Sequence, residues 1–181
     1  MNFLTKFKKI FIITKSVDSK KLLKGNDLIS KEYFEKMRDD HLKIGQIFKK
    51  RLQEIFDKKI ELKTLTEFRK SEDNLLNSNE LVIGIGGDGT FLNINKKIAT
   101  KTPTVLGINS NPKKSLGKLC GLKLLEHKSG DYDYNTNKSI DQMLKALDKG
   151  NYEEIIRRRL QVEKKQEISE NLKFPLGKNI I

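Results

Sequence analysis

Three glycines surround one carboxylate and one hydroxyl at residues 86–90, which read Gly-Gly-Asp-Gly-Thr. The nearly continuous apolar run ELVIGI precedes them at 80–85, and a helix-like pattern from Thr90 to about Lys101 follows. Glycines let a backbone turn tightly and bring its N–H groups against a ligand. Successive N–H groups that open a helix make an anion site, and a phosphate fits there. Asp88 would repel that phosphate unless it works with a cation or handles a proton. In phosphoryl transfer it could orient an attacking hydroxyl as general base, or help to hold Mg²⁺ between phosphate groups. Thr90 could cap the helix and also donate to a phosphate oxygen. The plain alternative is a strand–helix turn with Asp88 as its cap. A five-residue turn behind a strand of the fully buried type favours the phosphate site.

The common phosphate motifs do not account for this loop. Gly84, Gly86 and Gly89 satisfy a bare G-x-G-x-x-G, but Gly84 lies inside the strand. Asn109 stands where a dinucleotide fingerprint would place an acidic residue about 20 residues on. The lysine of a Walker A motif is also absent after the glycines.

The elements that position this loop read as alternating strands and helices. Residues 8–14 (KKIFIIT) form a first strand, and a lysine-rich loop with Gly25 follows. A long amphipathic helix is expected over 31–56, with Ser30 as N-cap. Its apolar face holds Phe34, Met37, His41, Ile44, Phe48, Leu52 and Ile55. Residues 59–65 alternate as a strand, and 71–78 suggest a short helix capped by Ser71. Residues 80–85 suit a strand buried on both faces, as in a parallel sheet. Residues 103–108 make the next strand, with Pro103 at its first position. The order predicts an α/β fold with a doubly wound, mostly parallel sheet. In such sheets ligands bind outside the carboxyl ends of the strands, where the glycine loop lies. Beyond it, 109–135 is rich in loops, and a helix over 138–149 ends before Gly150, a suitable C′ residue. Residues 152–165 alternate as a strand before a polar tail.

Composition narrows the function classes. The chain has 181 residues, is 36% hydrophobic and 34% charged, and carries a net charge of +13. Its basic residues are 31 lysines against 6 arginines. Scattered lysines read as a solvated surface, since specific phosphate and base readers draw on arginine's planar fork. With aromatics at 7% and no tryptophan, nucleic acid is not the expected partner. Cys120 is the single cysteine and reads as a small packing residue, so neither an internal disulfide nor a cysteine zinc site is possible. No apolar run is long enough to span a membrane, and the run at 10–13 is too short for a signal core. A cytoplasmic location is expected. His41 reads as a packed helix residue, and Lys113, Lys114 and Lys118 as either a solvated loop or a screen for phosphates. The arginines at 157–159 read as a solvent-facing strand, and Asp131 and Asp133 are too sparse for a metal site.

Gly86-Gly87-Asp88-Gly89-Thr90, followed by Phe91-Leu92, resembles the GGDGT signature of NAD kinases. Diacylglycerol-type lipid kinases and phosphofructokinases share related motifs. Residues 104–109, TVLGIN, are similar to the next strand of NAD kinases. Residues 111–120, NPKKSLGKLC, resemble a stretch of the mitochondrial type, as do Ile13-Thr14-Lys15 and the placement of His41. The resemblance covers about residues 10–162.

It implies transfer of a phosphoryl group from ATP or polyphosphate, with a divalent cation such as Mg²⁺, to the 2′-hydroxyl of the adenosine ribose of NAD. It also implies Asp88 as base or positioner of that hydroxyl. Gly86, Gly87, Gly89, Thr90 and Phe91 would lie at the phosphates, and Asn109 near the nucleotide. Two departures stand out. Asn93, Ile94 and Asn95 occupy helix positions where the family has small residues. The family also continues into a β-rich domain with an Asn-Glu pair that holds NAD, and no such pair follows the arginines here.

The expectation is therefore an α/β nucleotide-binding domain over 1–150 and the first strand of a β-rich domain over 151–181. Its partners would be small-molecule nucleotides. It would form a homo-oligomer if complete, or pair with a separate chain that supplies the β domain. The alternatives are an inactive nucleotide-binding domain and a lipid kinase, the latter disfavoured by residues 104–120.

Overall fold

The computed structural model describes residues 3–16, 28–71, 79–98, 103–112, 116–124 and 132–153. Five strands, β1 (Lys9–Thr14), β2 (Lys59–Thr64), β3 (Glu80–Gly86), β4 (Thr104–Asn109) and β5 (Leu122–Lys123), form one sheet. Their order is β2-β1-β3-β4-β5, and every pairing is parallel. The helices are α1 (Leu28–Ile55), α2 (Leu65–Lys70), α3 (Asp88–Lys97) and α4 (Tyr132–Asp148), with a short 3-10 turn at Phe3–Lys6.

Side-chain alternation along the strands builds two cores. Ile10 and Ile12 of β1 and Leu81, Ile83 and Ile85 of β3 meet Ile44, Phe48 and Leu52 of α1 and Ile140, Leu144 and Leu147 of α4. On the other face Phe11, Ile13 and Val82 meet Leu65 and Phe68 of α2 and Ile94 of α3. Helices on both faces bury the central strands completely, which is why β3 reads as an unbroken apolar run. The fold is the expected doubly wound α/β sheet.

The structure corrects several boundaries. α1 begins at Leu28, so Ser30 lies inside the helix and is not its N-cap. The apolar face of α1 buries His41, Ile44, Phe48 and Leu52, but Ile55 is exposed and Phe56 takes the buried place beyond it. The side chain of Phe34 lies outside the described set. Leu65 is not the end of β2 but the first residue of α2, where it packs beneath the sheet. The helix was legible in a capping box: Thr64 Oγ1 accepts from Glu67 N–H, and the Glu67 carboxylate accepts from Thr64 N–H at 2.7 Å. Ser71 closes that helix at its C-terminus, donating its N–H to Glu67 O at 3.0 Å. The helix expected over 71–78 otherwise falls outside the described residues, as does the strand expected over 152–165 beyond Glu153. α3 starts at Asp88, with Gly87 as its N-cap, so Thr90 lies within the first turn and does not cap it. α4 begins several residues before its expected start and ends as expected. Gly150 has φ +74°, Asn151 N–H donates to Ala146 O at 2.9 Å, and Gly150 N–H donates to Leu147 O at 3.2 Å. That is the paired bonding of a Schellman end.

The edge strand β2 carries an ionic knot. Glu61 accepts from Lys9 at 2.8 Å, Lys59 at 2.9 Å and Lys63 at 3.3 Å. Burial alone would raise its carboxyl, but the three lysine hydrogen bonds overcome this and hold it down to about 2, against an ordinary 4.5. A folded-state value below the unfolded one stabilises the fold above pH 4.5, and the benefit disappears as pH falls toward 2. Glu61→Gln is expected to cost about 1–2 kcal/mol at pH 7 after solvent screening, and to flatten the stability profile in that acid window. Urea unfolding at pH 7 and at pH about 3 checks this; a variant with the wild-type pH slope would count against it.

Candidate nucleotide site at the sheet switch point

β1 and β3 are neighbours whose connections leave toward opposite edges of the sheet, so their carboxyl ends form the switch point. A cavity of about 550 Å³ opens there. Its lining comes from Lys15 and Ser16 after β1, Met37 and His41 on α1, residues 86–90, and Asn109, Ser110 and Asn111 after β4. Leu65 and Asn93 complete it.

The glycine loop is held open by close packing. A Cβ at Gly86 would lie 2.8 Å from Thr90 Cβ, so only glycine lets the first turn of α3 fold back on the strand end. Gly87 offers no side chain to cap the helix. Thr90 N–H and Phe91 N–H turn back to Gly87 O, at 3.0 and 3.2 Å, while the amides of Asp88 and Gly89 receive no side-chain cap. A helix N-terminus left in this way at a cavity favours an anion.

Asp88 is fixed by its neighbours rather than by its own helix. Its Oδ1 accepts from Leu119 N–H at 2.8 Å and its Oδ2 from Lys118 N–H at 3.1 Å. Lys118 thus contributes its backbone here, and its side chain belongs to an exposed residue. The carboxylate ties the segment after β4 to the glycine loop. Each oxygen keeps acceptor capacity for a further donor, such as a substrate hydroxyl. Asn109 is completely buried, and its Oδ1 accepts from Asn111 N–H at 3.1 Å. This fixes the turn by which β4 enters the cavity wall.

The structure brings Gly86, Gly87, Asp88, Gly89, Thr90 and Asn109 together around one cavity. Phe91 is not part of the lining. Its ring covers Gly107 of β4, where a Cβ would lie 2.7 Å from the ring. Cys120 is buried, and burial, with Asp88 nearby, pushes its thiol up to about 11. The departures at 93–95 fit the helix: Asn93 donates to Gly89 O at 2.7 Å, Asn95 to Phe91 O at 2.8 Å, and Ile94 fills the second core. Arg69 also bonds to Asn93 Oδ1, joining α2 to α3. Sequence reasoning missed Ser16, Met37, Ser110 and Asn111 and gave His41 only a packing role. The available signal was position, because Lys15 and Ser110 each follow directly on the carboxyl end of a central strand. Lys113, Lys114, Asp131 and the arginines at 157–159 lie outside the described residues.

A parallel sheet with a glycine loop and an uncapped helix at its switch point defines a doubly wound α/β domain. More narrowly, the chain belongs to the ATP-NAD kinase family: residues 3–120 match that family's N-terminal domain. No curated protein gives a significant match. Among solved structures, one from Listeria monocytogenes described as a candidate sugar-phosphate isomerase aligns at 12% identity and TM-score 0.46, covering 83% of this chain and 74% of its own. The C-terminal domain of glucosamine-fructose-6-phosphate aminotransferase from Francisella tularensis aligns at 13% identity and TM-score 0.48, covering 81% of this chain and 38% of that one. Likenesses this distant carry no functional weight. No described helix is long and apolar enough to cross a membrane.

Proposed function

We propose that this chain carries the phosphoryl-transfer site of an NAD kinase, which moves the terminal phosphoryl group of ATP to the 2′-hydroxyl of the adenosine ribose of NAD. The carrying observation is Asp88, held by two backbone donors at the mouth of an uncapped helix in a cavity of about 550 Å³. In this reading the amides of the 86–90 loop bind phosphate oxygens, and Asp88 accepts the hydrogen bond of the attacking hydroxyl. The hydroxyl oxygen forms the new P–O bond, the bond to the departing diphosphate breaks, and the hydroxyl proton leaves through Asp88. Thr90 and Asn109 shape the wall beside the phosphates. Phe91 supports this site from beneath, through Gly107 of β4.

A Mg²⁺ ion would neutralise charge on the transferring phosphates. The described residues contain no group of three His, Cys, Asp or Glu suited to a metal. In this reading the ion is carried mainly by the nucleotide phosphates, and Asp88 is the carboxylate that lines the cavity. The stretch from Asn111 to Cys120 supports the mitochondrial type within the family. We assign residues 1–150 to the α/β domain and 151–181 to the start of a β-rich domain, which the same chain or a separate one would complete.

The test is NADP formation by the 181-residue chain from NAD, ATP and Mg²⁺. Gly89→Ala is the informative variant. A Cβ there meets nothing within 4 Å, so folding is expected to be unharmed, and helix propensity favours Ala by about 1 kcal/mol. The added methyl group would nevertheless stand where a phosphate approaches, so turnover is expected to fall at least tenfold. Equal turnover in the two proteins would sink the assignment of the loop. Nucleotide binding without turnover would point to a domain that needs its β-rich half from elsewhere.

A further inference from the structure

The wall facing the glycine loop holds two polar groups that the reading above does not use. Lys15 follows β1, and its backbone N–H donates to Ile85 O at 2.9 Å, so it sits across the central ladder from the loop. The hydrogen-bond partner of its ammonium is Met37 Sδ, at 3.8 Å. A thioether is a weak acceptor and a poor match for a charged donor. Beside it, His41 on α1 is only 4% exposed. Its Nδ1 lies 2.9 Å from Ser110 Oγ, while its Nε2 has no hydrogen-bond partner among the described residues. Buried polar atoms nearly always have partners, and His41 lines the cavity, so a small turn of the ring is what would bring this covered nitrogen to a ligand atom.

We propose that Lys15 and His41 form the second half of the phosphate cradle and hold a phosphoryl group of the donor against the glycine loop. Lys15 supplies the charge. His41 supplies a directional hydrogen bond from Nε2–H, in the tautomer selected when Ser110 donates its hydroxyl to Nδ1. Burial, and secondarily Lys15, lower the His41 pKa to about 4, so the ring is neutral at pH 7 and one nitrogen carries its single proton. The other titratable group on the cavity wall is Asp88. This division places the densest negative charge, that of a triphosphate, between Lys15 and the amino end of α3, with the acceptor hydroxyl beside Asp88. The inference rests on the reading that the cavity takes a phosphoryl donor.

Inorganic tripolyphosphate offers the phosphates without a nucleoside, and NAD offers only a pyrophosphate. Titration calorimetry of the full chain should therefore separate the two sources. Lys15→Met is expected to weaken tripolyphosphate at least tenfold and to change NAD affinity less than twofold, and Lys15→Arg should restore most of the loss. His41→Asn should also weaken tripolyphosphate, and the His41 Nε2 resonance should shift when tripolyphosphate is added to the wild type. A purely structural His41 would show no such shift. The proposal is overturned if the wild type does not bind tripolyphosphate, if both variants fold and bind it as the wild type does, or if Lys15→Met weakens NAD as much. NADP formation with tripolyphosphate binding indifferent to Lys15 would remove this wall and leave the kinase reading standing. Lys15-dependent binding without any NADP formation would do the reverse.

Discussion

Asp88→Asn is expected to slow NADP formation by about 10²–10⁴-fold, the range over which a positioned acid–base group contributes to a rate. The amide keeps the shape of the side chain but cannot take the proton of the attacking hydroxyl. It has a second effect that must be separated from the first. Both carboxylate oxygens accept backbone N–H groups, from Leu119 and Lys118. An amide must turn its NH₂ toward one of them, setting donor against donor. That lost bond should cost about 1–3 kcal/mol of stability. Rates should therefore be compared well below the melting temperature of the variant, with nucleotide affinity measured on the same sample. A variant that is folded, binds nucleotide and keeps a rate within threefold of the wild type would remove Asp88 from the chemistry.

Gly117→Ala is expected to be the most destabilising small substitution near the site. Gly117 has φ +58°, a conformation that L side chains rarely adopt. A Cβ there would lie 2.8 Å from Asn109 Cγ and 2.9 Å from Asn109 Cβ. Asn109 is completely buried and cannot yield easily. Backbone strain and overlap together should cost about 2–4 kcal/mol. The damage should reach the cavity, because the segment that begins at Gly117 carries the two amides that hold Asp88. Gly121→Ala is the matched control: a Cβ there meets nothing within 4 Å, and a change within about 0.5 kcal/mol is expected. Denaturant midpoints of the two variants decide the matter, and equal midpoints would refute the strain argument.

The sequence made the centre of this fold legible and its margins less so. β1 and β3 are short apolar runs that helices cover on both faces, and β4 is a similar run half-buried in its first three residues, so composition alone marks them. Residues 86–90 were legible for the same reason, since a strand of that kind followed by such a turn has few uses. The edge was harder. β5 is two residues long, and nothing in Leu122–Lys123 distinguishes it from a loop until β4 is beside it. Leu65 was ambiguous because an apolar residue after an alternating strand serves either element, and the Thr64–Glu67 box decides for the helix. The cavity was half legible. The glycine side announces itself by spacing, whereas Lys15, His41 and Ser110 are far apart in sequence and meet only when β1, α1 and β4 are packed. An isolated histidine on an apolar helix face resembles core, and it is core on all but one of its ring nitrogens.

The aromatic contact that closes the end of α4 has a consequence for the architecture of any larger enzyme. Tyr152 packs edge-on against Phe3 with ring centroids 4.6 Å apart, and Lys6 reaches its hydroxyl at 3.3 Å. Phe3 and Lys6 lie just before β1, at the amino ends of the parallel strands, whereas the cavity lies at their carboxyl ends. Tyr152 therefore lies at the pole opposite the site. A covering element that followed in the same chain would first have to climb the height of a six-residue strand, roughly 20 Å, which takes about six extended residues. A second domain joined after Tyr152 would be attached at one pole and reach the cavity at the other.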